Sequence, residues 1–189
     1  MCTQGTYEVN DDWRDLERAR HGDEAAWQRL ADRHLSRLVA LALMMTGSPE
    51  FAQDAAQEAF VRLLKANPDS ERGTLGGYLS TIVYRLGLKE HRRAVRHQDI
   101  ENHSLEDESP SILERVVRSE RQRLVVRAIS ALDESHRTVL VLRFYGDHTY
   151  EEIAILTGVP LGTVKSRLFY AVKQCRKWLK EKGVLEECM

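Results

Sequence analysis

The chain has 189 residues, 42% of them hydrophobic, with 28 basic against 29 acidic side chains and a formal net charge of −1. That length allows one medium domain or two small ones with a real core, and the balanced total alone points to neither a nucleic acid nor an acidic partner. Cys2, Cys175 and Cys188 are an odd, scattered set without a CxxC pair, and neither a signal-peptide core nor a membrane-length apolar run is present; a reducing cytoplasm without direct membrane insertion is expected.

Strand signals are scarce, while apolar residues recur at spacings of three and four, so the expected fold is all-α. Residues 1–22 read as an N-terminal extension. After Gly22, a periodic run through Ala26, Leu30, Leu38, Ala42 and Met45 predicts a helix that ends at Thr46-Gly47-Ser48-Pro49. The next helix is expected over residues 50–66, with Ala52, Ala55, Ala56, Ala59, Phe60 and Leu63 on one side. Asp54, Gln57, Glu58 and Arg62 lie mostly on the other. Asn67-Pro68 closes it, residues 69–77 form a polar loop, and a third helix runs to about residue 96. On its wheel Leu75, Leu79, Ile82, Val83 and Leu86 share a side, Ser80, Tyr84, Leu88 and His91 fall away, and Tyr78, Arg85 and Arg92 take the flank.

Charge is segregated along the chain. Residues 81–98 carry Arg85, Lys89, Arg92, Arg93 and Arg96 against Glu90 alone, residues 99–120 hold seven acids against Arg115 and Arg118, and residues 161–182 hold seven bases against Glu181. Two basic patches around an acidic strip suit two polyanion-binding modules and a spacer. Residues 97–111 are too polar to repay the entropy of folding and are expected to be an acidic flexible linker. The expected architecture is therefore two small helical domains, residues 23–96 and 112–182, with a tail at 183–189.

In the second domain Asp133 can cap a helix that ends at Gly146, and Thr149 with Glu152 forms a capping box. In "TYEEIAILTGVPLGTVKSRLFYAVKQCRKW", Ala154, Gly158 and Val164 stand where a helix-turn-helix needs a small residue, a turn residue tolerant of positive φ, and a buried β-branched anchor. Around Val164 the wheel gathers Leu168, Ala171, Val172, Cys175, Trp178 and Leu179. Lys165, Ser166, Phe169, Tyr170, Lys173 and Arg176 occupy the opposite face, which either enters a major groove or is a solvated surface. The histidines show no HExxH or paired Cys/His spacing, so no metal or other cofactor is expected. No carboxylate cluster, nucleophile constellation or Gly-rich phosphate loop appears either, so neither an enzyme nor a small-molecule substrate is expected.

"LDESHRTVLVLRFYGDHTYEEIAILTGVPLGTVKSRLFYA" resembles region 4 of bacterial sigma factors, and "FAQDAAQEAFVRLL" followed by "GGYLSTIVYRLGLKEHRR" resembles region 2. The order, with only an acidic linker between, resembles the extracytoplasmic-function (ECF) group of the sigma-70 family over roughly residues 23–182. The resemblance implies a subunit that binds core RNA polymerase, directs it to promoter DNA and helps melt the start region, under control of an anti-sigma factor that can hold it at the membrane. It implies core-polymerase docking by Asp54, Gln57, Glu58 and Phe60, although Asp54 and Glu58 by themselves read equally as solvated i,i+4 carboxylates. Minus-ten recognition falls to Tyr78, Tyr84, Arg85, Lys89, Arg92, Arg93 and Arg96: cations for phosphates, aromatic rings for splayed bases. Tyr78 reads as well as a packing partner of Ile82. Minus-thirty-five recognition falls to Thr163, Lys165, Ser166, Arg167, Phe169, Tyr170 and Lys173. The family usually has Trp where Tyr78 stands and Asn where Arg85 stands, and many relatives have Arg where Tyr170 stands, so the resemblance does not fix the base preferences. The competing reading is a stand-alone helix-turn-helix regulator whose N-terminal helices dimerise or sense a ligand.

Overall fold

The computed structural model describes residues 9–66, 68–69, 73–98 and 120–184. Among these residues the chain forms eight helices and no strand: α1 (Val9–Arg20), α2 (Glu24–Thr46), α3 (Pro49–Lys65), α4 (Leu75–Gln98), α5 (Glu120–Ser130), α6 (Glu134–Phe144), α7 (Tyr150–Thr157) and α8 (Leu161–Glu181). The expected linker falls almost wholly outside the described residues, as do residues 112–119.

Local signals set the boundaries. Asp23 accepts from the Ala26 amide to start α2, and Gly47, in the left-handed region at φ 72°, ends it. Ser48 then accepts from Phe51 N at 3.2 Å with Pro49 in the first turn of α3. The third helix begins earlier than the polar loop suggests. Thr74 Oγ1 takes the Gly77 amide at 2.9 Å, so Gly76 and Gly77 lie inside the first turn of α4.

Helix α2 is the axis of the first domain, with α1, α3 and α4 packed around it. Ala52, Ala55, Ala56 and Ala59 are all at most 3% exposed, and this small-residue stripe lets α3 approach closely. Phe60 fills the space beside it, edge-on to Trp27 with centroids 5.4 Å apart. Helix α1 adds Leu16 to the core and Asp12 and Asp15 to a polar clamp with Arg29, Arg33 and His34 of α2. Residues 9–20 of the extension that the sequence leaves unassigned thus form a packed helix. Arg29 hydrogen-bonds the buried Asp15 carboxylate, outweighs its desolvation and, with Arg33, keeps it well below the usual range.

In the second domain α6 buries four consecutive residues, Val139 to Leu142. A helix with one apolar stripe cannot do this; α6 is wedged between α8 of its own domain and α2 of the first. One continuous core results, running from Leu16 through Leu79 to Val164 and Leu168. Among the described residues no helix is long and apolar enough to cross a membrane.

Candidate nucleic-acid interface

Helices α7 and α8 build the first candidate surface. The capping box at the head of α7 is complete: Thr149 Oγ1 accepts from Glu152 N at 3.2 Å, and Glu152 Oε2 accepts from Thr149 N at 2.7 Å. Gly158 ends α7 at φ 70° and turns the chain into α8. Ile153 and Val164 are fully buried and, with Leu168 and Ala171, fix α8 by one stripe. The opposite stripe is open. Lys165, Ser166 and Lys173 are exposed, Phe169 is 64% and Tyr170 51% exposed, and Thr163 and Arg167 are half-buried at the margins. No side chain caps the N-terminus of α8, where Thr163 N turns back to Pro160 O at 2.8 Å.

The aromatic pair on this face is ordered. Phe169 meets Tyr170 edge-on at 5.5 Å, and Tyr170 meets His136 edge-on at 6.5 Å. Asp133 holds His136 through its carboxylate while also capping α6. Burial opposes ionisation of that carboxyl, yet the hydrogen bonds from His136 and Ser135 depress it far below the usual range.

The second surface is α4. Arg85, Lys89, Arg92 and Arg93 are exposed, while the Arg96 side chain lies outside what is described. The two tyrosines behave differently from these cations. Tyr78 is half-buried and packs on the core, and Tyr84 is only 5% exposed. Burial raises the Tyr84 phenol above its ordinary value, and the Glu134 carboxylate of α6 adds to the shift. The wheel sets Ser80 and Tyr84 apart from the core of the first domain, yet both are buried, because the second domain lies on that side. Tyr84 therefore offers no free ring to a base in this arrangement.

On α3, Asp54 and Gln57 are exposed and Glu58 pairs with Arg62 at 2.7 Å. Phe60 differs from the expectation of a docking contact: at 6% exposure it is a core residue, since its ring is taken up by Trp27. Sequence reasoning missed His136 and Asp133 as supports of Tyr170. The Asp133 cap was visible, but the contact of His136 with Tyr170 across to α8 was not.

The sigma-70 region 2 pattern matches residues 30–97 and the region 4 pattern residues 128–177. The chain is 33% identical over 173 residues to the RNA polymerase sigma-H factor of Pseudomonas aeruginosa, covering 82% of this chain and 87% of that one. It is 33% identical to the ECF RNA polymerase sigma factor RpoE of Cereibacter sphaeroides, covering 88% and 94%. It is 32% identical to the ECF RNA polymerase sigma factor SigE of Mycolicibacterium smegmatis, of whose length it spans 64%. In fold it is similar to the sigma factor RpoE of Bartonella quintana, solved in complex with the anti-sigma factor NepR, at a TM-score of 0.59 and 20% identity over 82% of this chain and 96% of that one. It is likewise similar to CnrH, solved with the cytosolic domain of CnrY, at 0.57 and 22% over 90% and 98%. The two matched regions, in this order, together with relatives 33% identical over most of their length, place the chain in the sigma-70 family. Within it, this chain belongs to the ECF RNA polymerase sigma factors.

Proposed function

We propose that the two surfaces divide promoter recognition between them. The α8 face of Lys165, Ser166, Phe169, Tyr170 and Lys173 reads the minus-thirty-five element in the major groove. There lysines meet phosphates or guanine edges, and Phe169 meets thymine methyl groups. Helix α4, through Tyr78, Arg85, Lys89, Arg92 and Arg93, captures the melted minus-ten strand. Asp54, Gln57 and Glu58 on the exposed side of α3 dock core RNA polymerase. The chain performs no chemistry itself; the polymerase it recruits does.

The observation that carries this reading is the split of α8 into a stripe buried at Val164, Leu168 and Ala171 and an open cationic and aromatic one. The regulatory partner is proposed to be an anti-sigma factor. An apolar groove of about 450 Å³ between α5, α6 and α8, lined by Val125, Ile129, Leu140, Val172 and Leu179, supports a helical protein segment as the occupant. The site of action is the cytoplasm, with membrane attachment only through that regulator.

The test is transcription from a promoter library by purified core polymerase with and without the chain. Start sites that require both components are the expected result. If the chain binds duplex DNA tightly and selectively alone and fails to co-elute with core polymerase, the stand-alone regulator replaces this reading. A sigma factor of this design binds poorly alone, because each small module makes few phosphate contacts.

A further inference from the structure

The polar side of α8 divides into two rows. At about 100° per residue Lys165, Phe169 and Lys173 follow one another along one edge, and Thr163, Ser166 and Tyr170 along the other. The first row is cationic around a ring; the second is a row of hydroxyls. A hydroxyl both donates and accepts, so it discriminates between bases only where something else decides how it stands. For Ser166 the helix decides, because its Oγ donates to Thr163 O at 3.0 Å and keeps its lone pairs for a partner. The Tyr170 hydroxyl has no partner among the described residues, and Tyr170 is 51% exposed.

What holds the Tyr170 ring comes from α6. The Asp133 carboxylate that caps this helix accepts from the Ser135 amide at 3.0 Å, the Ser135 hydroxyl at 2.8 Å, the His136 amide at 3.2 Å and His136 Nδ1. An ionised carboxylate only accepts, so the imidazole carries a hydrogen on Nδ1 and cannot turn over without breaking that bond. The ring so fixed stands at 86° to Tyr170 with centroids 6.5 Å apart, and Tyr170 stands at 78° to Phe169 with centroids 5.5 Å apart. Successive edge-on contacts thus run from the cap of α6 to the middle of α8. An exposed tyrosine loses side-chain freedom when it binds; one held between two rings has lost much of it beforehand.

We infer that His136 is a positioning residue of minus-thirty-five recognition: held by Asp133 and set edge-on against Tyr170, it fixes where the Tyr170 hydroxyl stands and makes the base pair beneath it a discriminated one. His136 itself touches no base. It converts an adaptable contact into a selective one by about threefold to tenfold, the range for immobilising one side chain before binding. This inference rests on the proposed reading of the minus-thirty-five element by Tyr170.

The test uses the full chain with core polymerase on a promoter library randomised through the minus-thirty-five element, the yield of each sequence being read from its transcripts. Tyr170→Phe removes the hydroxyl and is expected to erase the preference at one base pair. His136→Asn keeps a donor for Asp133 where Nδ1 stood but removes the ring. It should melt with the native chain and weaken the preference at that same base pair by about threefold to tenfold. His136→Asn/Tyr170→Phe should be no flatter there than Tyr170→Phe alone, because the two residues act as one unit. His136→Phe, which restores an edge-on ring, should recover part of the preference. An unchanged preference in His136→Asn, or a fall in yield spread evenly over the library, would overturn the inference, since an even fall marks a lost phosphate contact or a damaged fold. If Tyr170→Phe leaves every preference intact, the reading by its hydroxyl fails and the inference with it. Fluorotyrosine at position 170 then still tells whether the ring is held, through a fluorine resonance that moves in His136→Asn.

Discussion

Along α8 the rings of the proposed reading face stand in solvent, with Phe169 64% and Tyr170 51% exposed; along α4 Tyr84 is 5% exposed and Tyr78 is half-buried. Both helices carry a row of cations, so the difference lies in the aromatic residues. A duplex reader needs its side chains outside from the start, because the major groove is open before binding. The reader of melted DNA proposed for α4 is needed only once the duplex has opened, and there Tyr84 is buried while Tyr78 stays half-exposed.

The sharpest way to break this comparison is Tyr84→Ala. If Tyr84 is a packing residue shared by the two domains, the melting curve should shift down by roughly 3 kcal/mol of stability. An unchanged melt with weakened promoter opening would return Tyr84 to the set of base contacts. Next in size is Gly146→Ala, whose Cβ has no room against Leu142 O and His148. A loss of about 2 kcal/mol is expected from forcing the turn, and an unaltered melting temperature would mean that the turn relaxes freely.

For the open helix, Tyr170→Ala should reduce transcription from minus-thirty-five-dependent promoters by roughly fivefold, within the range for one base contact, and leave stability nearly unchanged. Transcription from a minus-thirty-five library settles this, and equal output across the library would remove Tyr170 from the reading set. Thr149→Ala removes one half of the capping box and should cost about 1 kcal/mol in thermal unfolding.

The smallest expected effect is a dependence on pH. Burial lowers the His148 pKa below its ordinary value of 6.5, although Glu152 and Asp147 pull it upward. The neighbouring Arg143 binds the His148 carbonyl, and Arg85 faces the ring's cavity from α4. A base whose folded pKa is lowered contributes its full stability above the unfolded value and loses it as pH falls through the folded one. The melting-temperature gap between the native chain and His148→Asn should therefore shrink from about pH 7.5 to about pH 5. A gap constant over that range would show that the ring does not lose its neutral hydrogen bond.

The helix ends were legible from residues alone, because their causes are short-range: Gly47 and Ser48-Pro49 between α2 and α3, Asp133 before α6, Thr149 with Glu152 before α7, and Gly158 before α8. The split of α8 into buried and open stripes followed from periodicity for the same reason. What the tertiary structure decided depends on partners distant in the chain. Helix α1 has few apolar residues and is held through Arg29 and Arg33 of α2. Phe60 turned inward because Trp27 was there to receive it. Ser80 and Tyr84 left solvent because residues 50 to 68 positions further on, Glu134, Gly146 and His148, lie beside them. Periodicity tells which side of a helix is apolar, but a polar face buried by hydrogen bonds carries no such mark, and only the docking of the two domains reveals it.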